Sequence, residues 1–234
     1  MKRSTFVICV CLIGTLMQGV APAQESETGS DLNSRFVTPH FDEWVTRFER
    51  PGREVYNRRH EIVAATGVKP GMSVADIGAG TGLFTRLFSE KVGESGKVYA
   101  VDISKVFIEN ILRISAEKSQ FNVVGVVNPV DDVSLPPGSI DLAFICDTYH
   151  HFEQPLAMMK SIRRALKPGG SVVVIDFRKI PGASSQWVMG HVRANESAVV
   201  QEIESAGFRL VEDSDFLKTN YFLRFVVPQT PIDQ

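Results

Sequence analysis

Cysteine is scarce: there are 3 in 234 residues, and two of them, Cys9 and Cys11, lie in an apolar run near the start. Without that run only Cys146 is left, so no internal disulfide can form and the fold must rely on its core. Positive charge is not in excess either. The formal net charge of -2 and the pI near 6.2 exclude the overall basic field on which nucleic-acid binding usually rests. No internal repeat appears, and the glycine-rich turn at residues 78–82 has no lysine after its last glycine, as a phosphate loop would need. The cysteines and histidines also lack the paired C-x-x-C spacing of a standard zinc site, so a group such as Cys146, Asp147, His151 and His191 matches no common ligand pattern and no metal is expected. What is present is an ordinary globular composition, 44% hydrophobic and 22% charged, at a length that one domain accounts for.

Lys2 and Arg3 precede the apolar stretch "STFVICVCLIGTLMQGV", and Ala21, Pro22 and Ala23 supply small residues before Gln24. Residues 1–23 therefore read as a cleaved signal peptide, and the mature chain is expected to be exported, periplasmic or secreted. An uncleaved membrane anchor is the alternative. A spanning helix wants about 20 apolar residues, and Thr15 and Gln18 interrupt this run, so no stable membrane insertion is expected after cleavage. If the segment is not used as a signal, the location is the cytoplasm. Residues 24–40 are polar and mixed, a flexible arm, and the folded domain is expected over 41–234.

From Phe41 to Thr66 apolar and aromatic residues recur at helical spacing, broken by Pro51 and Gly52 into two helices. Short β-rich runs and longer helical ones then alternate. Strands are expected at Ser73–Asp76, Lys97–Asp102, Asn122–Val127, Ile140–Cys146, Ser171–Phe177, Leu210–Asp213 and Tyr221–Val227. Helices are expected at Gly82–Val92, Lys105–Ala116, Pro155–Leu166 and Ser197–Ala206. Runs such as "VVVID" and "LAFIC" are apolar on both faces, as parallel strands covered on both sides must be. The fold class is α/β, a doubly wound and mostly parallel sheet. The last two strands have no helix-length connection between them, so the last strand enters antiparallel.

"VADIGAGTGLF" (Val74–Phe84) puts three glycines into five positions between the first strand and a helix. Gly78, Gly80 and Gly82, with Ala79 and Thr81 between them, let the main chain turn sharply and come close to a ligand, and the helix start offers free N–H groups. A dinucleotide fingerprint needs G-x-G-x-x-G, and the third glycine here is one place early. Asp76 sits at the tip of the first strand and Asp102 ends the second, where a carboxylate can accept both hydroxyls of a ribose. Asp131 and Asp132 come just before the fourth strand and are expected on the same rim. Carboxylates at several strand ends suit a ligand with a ribose and a positive charge and repel a pyrophosphate. S-adenosyl-L-methionine has that description.

"VADIGAGTG", "VYAVDIS", "DDVSLPPGSIDLAFICDTYHHFEQP" and "ALKPGGSVVVIDF" resemble the successive motifs of class I S-adenosylmethionine-dependent methyltransferases, in particular the type 11 group related to the quinone-biosynthesis C-methyltransferases. The resemblance runs from about Glu54 to Val227. It implies a Rossmann-like sheet of seven strands with the last antiparallel. It further implies that Asp76, Gly78, Gly80 and Thr81 meet the methionyl part, Asp102 the ribose, Asp131 the adenine amino group and Asp132, through its N–H, the ring. Ile103 would flank the adenine, and Cys146 or Asp147 would lie beside the cofactor. The "HH" pair near the methyl donor corresponds to His150 and His151. Such enzymes are typically cytoplasmic, from which the signal-like segment departs.

Methyl transfer mainly needs an acceptor placed in line with the sulfonium in a dry site, and a general base only where the acceptor must lose a proton. The candidates are His150, His151, His191 and Asp147. Each histidine can equally be a packed or solvent-facing residue. Arg193 is either an anchor for an acidic substrate group or a surface arginine near a helix start. Phe41, Trp44, Phe48 and Tyr56 are either a lid or plain core. The expected partner is a small-molecule methyl acceptor rather than nucleic acid. The alternatives are an exported S-adenosylmethionine-binding protein without catalysis and an NAD-type oxidoreductase.

Overall fold

A computed structural model describes residues 33–36 and 38–228. The signal-like segment 1–23 lies outside the described residues, as do residues 24–32 of the polar stretch after it. Short helices lead in, among them α1 (Phe41–Phe48), α2 (Glu54–Asn57) and α3 (Arg59–Ala65). The break expected at Pro51 and Gly52 is present, and Arg58 adds a second between α2 and α3.

β1 (Ser73–Ile77), α4 (Leu83–Val92), β2 (Lys97–Asp102), α5 (Lys105–Glu117), β3 (Val123–Val127) and β4 (Ile140–Cys146) follow. After a 3-10 turn at Tyr149–His151 come α6 (Pro155–Ala165), β5 (Leu166–Phe177), α7 (Gln186–His191), α8 (Glu196–Ser205), β6 (Arg209–Ser214) and β7 (Asn220–Val226). α7 occupies a stretch read from its polarity as a loop. Its one turn and a half is too short for an apolar period to show.

The sheet has seven strands in the order β3-β2-β1-β4-β5-β7-β6. β1 to β5 pair in parallel, and β7 runs antiparallel to both β5 and β6. The strand order reverses between β1 and β4, the place where such sheets open a crevice beyond their carboxyl ends. Alternate residues of β5 enter opposite cores: Val172 and Val174 pack with Met159 and Ile162 of α6 and Ile203 of α8, whereas Val173 and Ile175 pack with Phe84 and Phe88 of α4 and Ile111 of α5. Helices on both faces are the reason the central strands are apolar throughout. Among the described residues no helix is long and apolar enough to cross a membrane.

Candidate active site

The glycine turn joins β1 to α4 with Gly78, Gly80 and Gly82 at φ 70, 53 and 76°. Three left-handed residues in five are inexpensive only for glycine. Space forbids a side chain as well, since a methyl on Gly78 would come within 2.2 Å of Thr148 Cγ2, and one on Gly82 within 2.8 Å of Ile111 Cγ1. Backbone N–H groups tie the turn across the end of β2: Gly78 and Ala79 donate to the Val101 carbonyl at 2.8 and 3.1 Å. Gly80 N–H donates to Asp102 Oδ2 at 2.8 Å, while Ser104 N–H donates to Asp102 Oδ1 at 2.8 Å. Asp102 thus both shapes the turn and faces the space beside it.

Asp76 accepts a bond from the Thr85 hydroxyl at 2.6 Å. Burial pushes its carboxyl up to about 7, with the Asp102 charge adding to the effect, and burial pushes Asp102 up to about 6. Two dehydrated carboxyls side by side favour a ligand that brings positive charge or hydroxyl donors.

A cavity of about 760 Å³ opens beyond the strand ends. It is lined by Asp76, Gly78, Ala79, Gly80, Thr81, Asp102, Ile103, Cys146, Asp147, His150, His151 and His191, so the strand order lays it from β2 across β1 and β4 to β5. Gly82 is not among the described lining residues. It is the left-handed N-cap of α4 and serves helix packing. The expected pair Asp131 and Asp132 is likewise absent from the described lining, where Asn128 and Val130 stand instead. Asn128 folds the loop after β3 back on itself, donating to the carbonyls of Pro129 and Asp132 at 2.8 and 3.1 Å. Asp131 is left exposed and Asp132 turns to Arg164 of α6 at 2.6 Å.

At the β4 end, Asp147 lines the cavity with φ 49°, but both of its oxygens are engaged, by Arg53 at 2.6 Å and by the Asn220 amide at 2.6 Å. Burial nevertheless pushes its carboxyl up. A carboxylate so held is a poor choice of mobile base. Burial also pushes the Cys146 thiol well up, so it stays protonated and weakly nucleophilic.

The three histidines converge. The ring centroids of His150 and His151 are 4.2 Å apart, and His191 is 5.1 Å from each. His150 is 4% exposed, and its Nδ1 lies 2.8 Å from Asp176 Oδ1, while its backbone N–H donates to Asp176 Oδ2 at 3.0 Å. Asp176, at the end of β5, is also buried. Burial, helped by the neighbouring histidines and Arg35, brings His151 down to about 2, and burial with His150 and Arg35 brings His191 down to about 4. Both rings are therefore neutral near pH 7.

Of the polar stretch before the domain, residues 33–36 close over this end. The Asn33 amide donates to the His151 carbonyl at 3.1 Å and to Glu153 Oε1 at 2.8 Å, and Phe36 sets its edge against the His151 ring at 5.2 Å. Trp44 and Phe48 line the cavity as expected of a lid. Phe41 instead packs edge-on against Phe107, and Tyr56 packs against a core cluster. Arg193 is held by both oxygens of Glu202 at 2.7 Å, the helix-surface alternative rather than the anchor. Asp176, Arg53, Asn220, Phe36 and Trp187 were not singled out from the sequence. Asp176 had a signal, since it ends "VVVID" as Asp102 ends "VYAVD". The others reach the site from far along the chain.

Comparison with solved structures sets the fold first. The fold superposes on an S-adenosylmethionine-dependent methyltransferase from Aquifex aeolicus with TM-score 0.71 at 24% identity, over 79% of this chain and 97% of that one. It also superposes on the complex between the Haloferax volcanii Trm112 methyltransferase activator and a methyltransferase, TM-score 0.69 at 18% identity, over 83% and 98% of the two chains. At such identities these likenesses establish the fold alone, a doubly wound and mostly parallel sheet. The sequence is similar to a family as well: residues 75–174 match the methyltransferase-domain model of type 11. Over 123 residues the chain is 31% identical to the ubiquinone/menaquinone biosynthesis C-methyltransferase UbiE of Cupriavidus taiwanensis, a match covering 50% of this chain and 48% of that protein. The chain thus spans about half the length of the curated relatives it matches.

Proposed function

We propose that this protein is an S-adenosylmethionine-dependent methyltransferase acting on a small-molecule acceptor. The observation that carries the reading is Asp102: a buried carboxylate at the end of β2, bonded to the N–H of Gly80 in the turn and of Ser104 beyond it, with the cavity beside it. The cofactor fits the residues present, because a side chain at Gly78 is excluded and the two acids there are dehydrated. When bound, S-adenosylmethionine supplies a methyl group on a sulfonium.

In this reading Asp102 accepts the ribose hydroxyls, the 78–81 turn gives close main-chain approach, and Asp76 stands near the cationic part. Cys146 and Asp147 form the floor between the β1 and β4 ends. The acceptor occupies the β4–β5 end, among Phe36, Trp44, Phe177, Trp187 and the histidines, which all line the same cavity. Such a lining suits an aromatic or otherwise flat, apolar acceptor. The relatives' name concerns C-methylation in quinone biosynthesis, which accords with an acceptor of that kind. Aromatic walls exclude water and hold the acceptor in line, the proximity on which displacement at carbon depends.

The test is to incubate the purified protein with methyl-labelled cofactor and fractionated small aromatic metabolites. A labelled product together with S-adenosylhomocysteine is expected. Cofactor binding without any labelled product would favour the binding-only alternative, and nicotinamide binding the oxidoreductase one.

A further inference from the structure

The convergence of His150, His151 and His191 is more than the methyl-transfer reading requires. We propose that these three imidazoles bind one divalent transition-metal ion of the zinc class, with an open coordination position turned to the cavity.

One ring nitrogen from each histidine lies within 4.8 Å of the other two. Metal–nitrogen bonds of about 2.0–2.1 Å bring tetrahedral ligands somewhat closer than that, a closure within reach of small ring rotations. Each ring is prepared in its own way. Asp176 holds His150 by Nδ1 and by the backbone, which leaves Nε2 as the ligand atom, the carboxylate–histidine arrangement that orients metal ligands elsewhere. His151 has a buried Nδ1 with no hydrogen-bond partner among the described residues. A buried ring nitrogen without a hydrogen-bond partner is unfavourable and usually has a reason. His191 stacks on Trp187 at 4.6 Å and receives the Arg35 guanidinium at Nε2, 3.3 Å away. A bound ion either takes the place of that guanidinium or uses Nδ1.

Three imidazoles and no thiolate suit zinc, cobalt, nickel, copper or iron rather than magnesium or calcium. Three protein ligands leave a fourth position for water or substrate, the pattern of catalytic rather than structural sites. The sequence did not suggest this set because two ligands are adjacent and the third ends α7, about forty residues on, which no standard spacing describes.

The role of the ion, unlike its binding, rests on the methyl-transfer reading. An acceptor hydroxyl or thiol binds at the open position, its proton passes to solvent, and the resulting anion attacks the methyl carbon while the carbon–sulfur pair remains on sulfur.

The test uses the full chain, stripped with a chelator and titrated with zinc(II) and, separately, cobalt(II). About one equivalent is expected, with the intense visible spectrum of four-coordinate cobalt. His151→Gln and His191→Gln are expected to abolish uptake, and Asp176→Asn to weaken it about 10–100-fold with the stoichiometry kept; circular dichroism reports whether each variant folds. Absence of uptake by the wild-type protein, or uptake and spectrum unaltered in folded His151→Gln and His191→Gln, overturns the site. Metal bound as expected with no labelled product from any acceptor leaves the site standing and overturns the methyl-transfer reading instead.

Discussion

At the scale of single residues, Asp102 has two duties that one carboxylate can combine only because it is buried at a strand end. It receives two backbone N–H groups and still faces the cavity. Asp102→Ala is expected to lower S-adenosylmethionine affinity about tenfold or more, the scale of a lost charge-assisted hydrogen bond. Titration calorimetry measures it, and unchanged affinity would refute the placement of the ribose. Burial raises Asp102 to about 6 in the free protein, whereas hydroxyl donors favour its ionised form. Cofactor binding near pH 6 is therefore expected to release protons, detectable as a dependence of the heat on the buffer's ionisation enthalpy, and affinity is expected to fall on further acidification.

At the scale of elements, α2 is clamped to the start of β7 by one side chain. Glu54 accepts from the N–H groups of Lys218, Thr219 and Asn220 at 2.7, 2.7 and 3.2 Å, and from the Thr219 hydroxyl at 2.7 Å. Partial burial works to raise its carboxyl, but these four bonds outweigh it and hold the group below its usual 4.5. A carboxyl lowered in the folded state adds stability that is present above the unfolded value and lost as pH falls through the folded one. Glu54→Gln is expected to lower the melting temperature at neutral pH and to flatten the loss of stability below about pH 4.5. A parallel downward displacement of the whole melting curve with pH would show that the clamp acts without its charge. This clamp also brings Asn220 beside Asp147, so an element pairing far from the glycine turn decides whether that acid is free.

At the scale of the molecule, the site is assembled from the carboxyl ends of four neighbouring strands and closed by chain that precedes the sheet. Crowding Asp76 and Asp102 together is unfavourable for the unliganded fold. Asp76, raised by burial to about 7 from 3.8, favours folding when protonated, so its penalty is absent below about pH 3.8 and complete above about pH 7. Asp76→Asn is accordingly expected to gain stability over the wild type as pH rises through that window, read as the difference between denaturant midpoints. A difference that does not vary with pH would count against a buried, displaced Asp76. The reading of residues 1–23 as a signal peptide predicts that the exported protein begins at Gln24, which intact mass and N-terminal sequencing of a periplasmic or secreted fraction would check. Retention of the apolar segment on membranes would favour the anchor.

Apart from the short α7, strand and helix order, the parallel core and the two acids at the tips of β1 and β2 were legible in the sequence. Local periodicity and backbone chemistry encode them: a run apolar on both faces has to be a covered strand, and closely spaced glycines announce a turn. The antiparallel entry of β7 was legible too, from the short connection before it. Tertiary structure alone decided that Asp132 turns to Arg164, that Asp147 is taken by Arg53 and Asn220, that Asp176 orients His150, and that His191 joins His150 and His151. Each of these depends on which side chains meet across distant loops once the sheet closes, and hydrogen-bond competition at such meetings leaves no periodic trace in the chain.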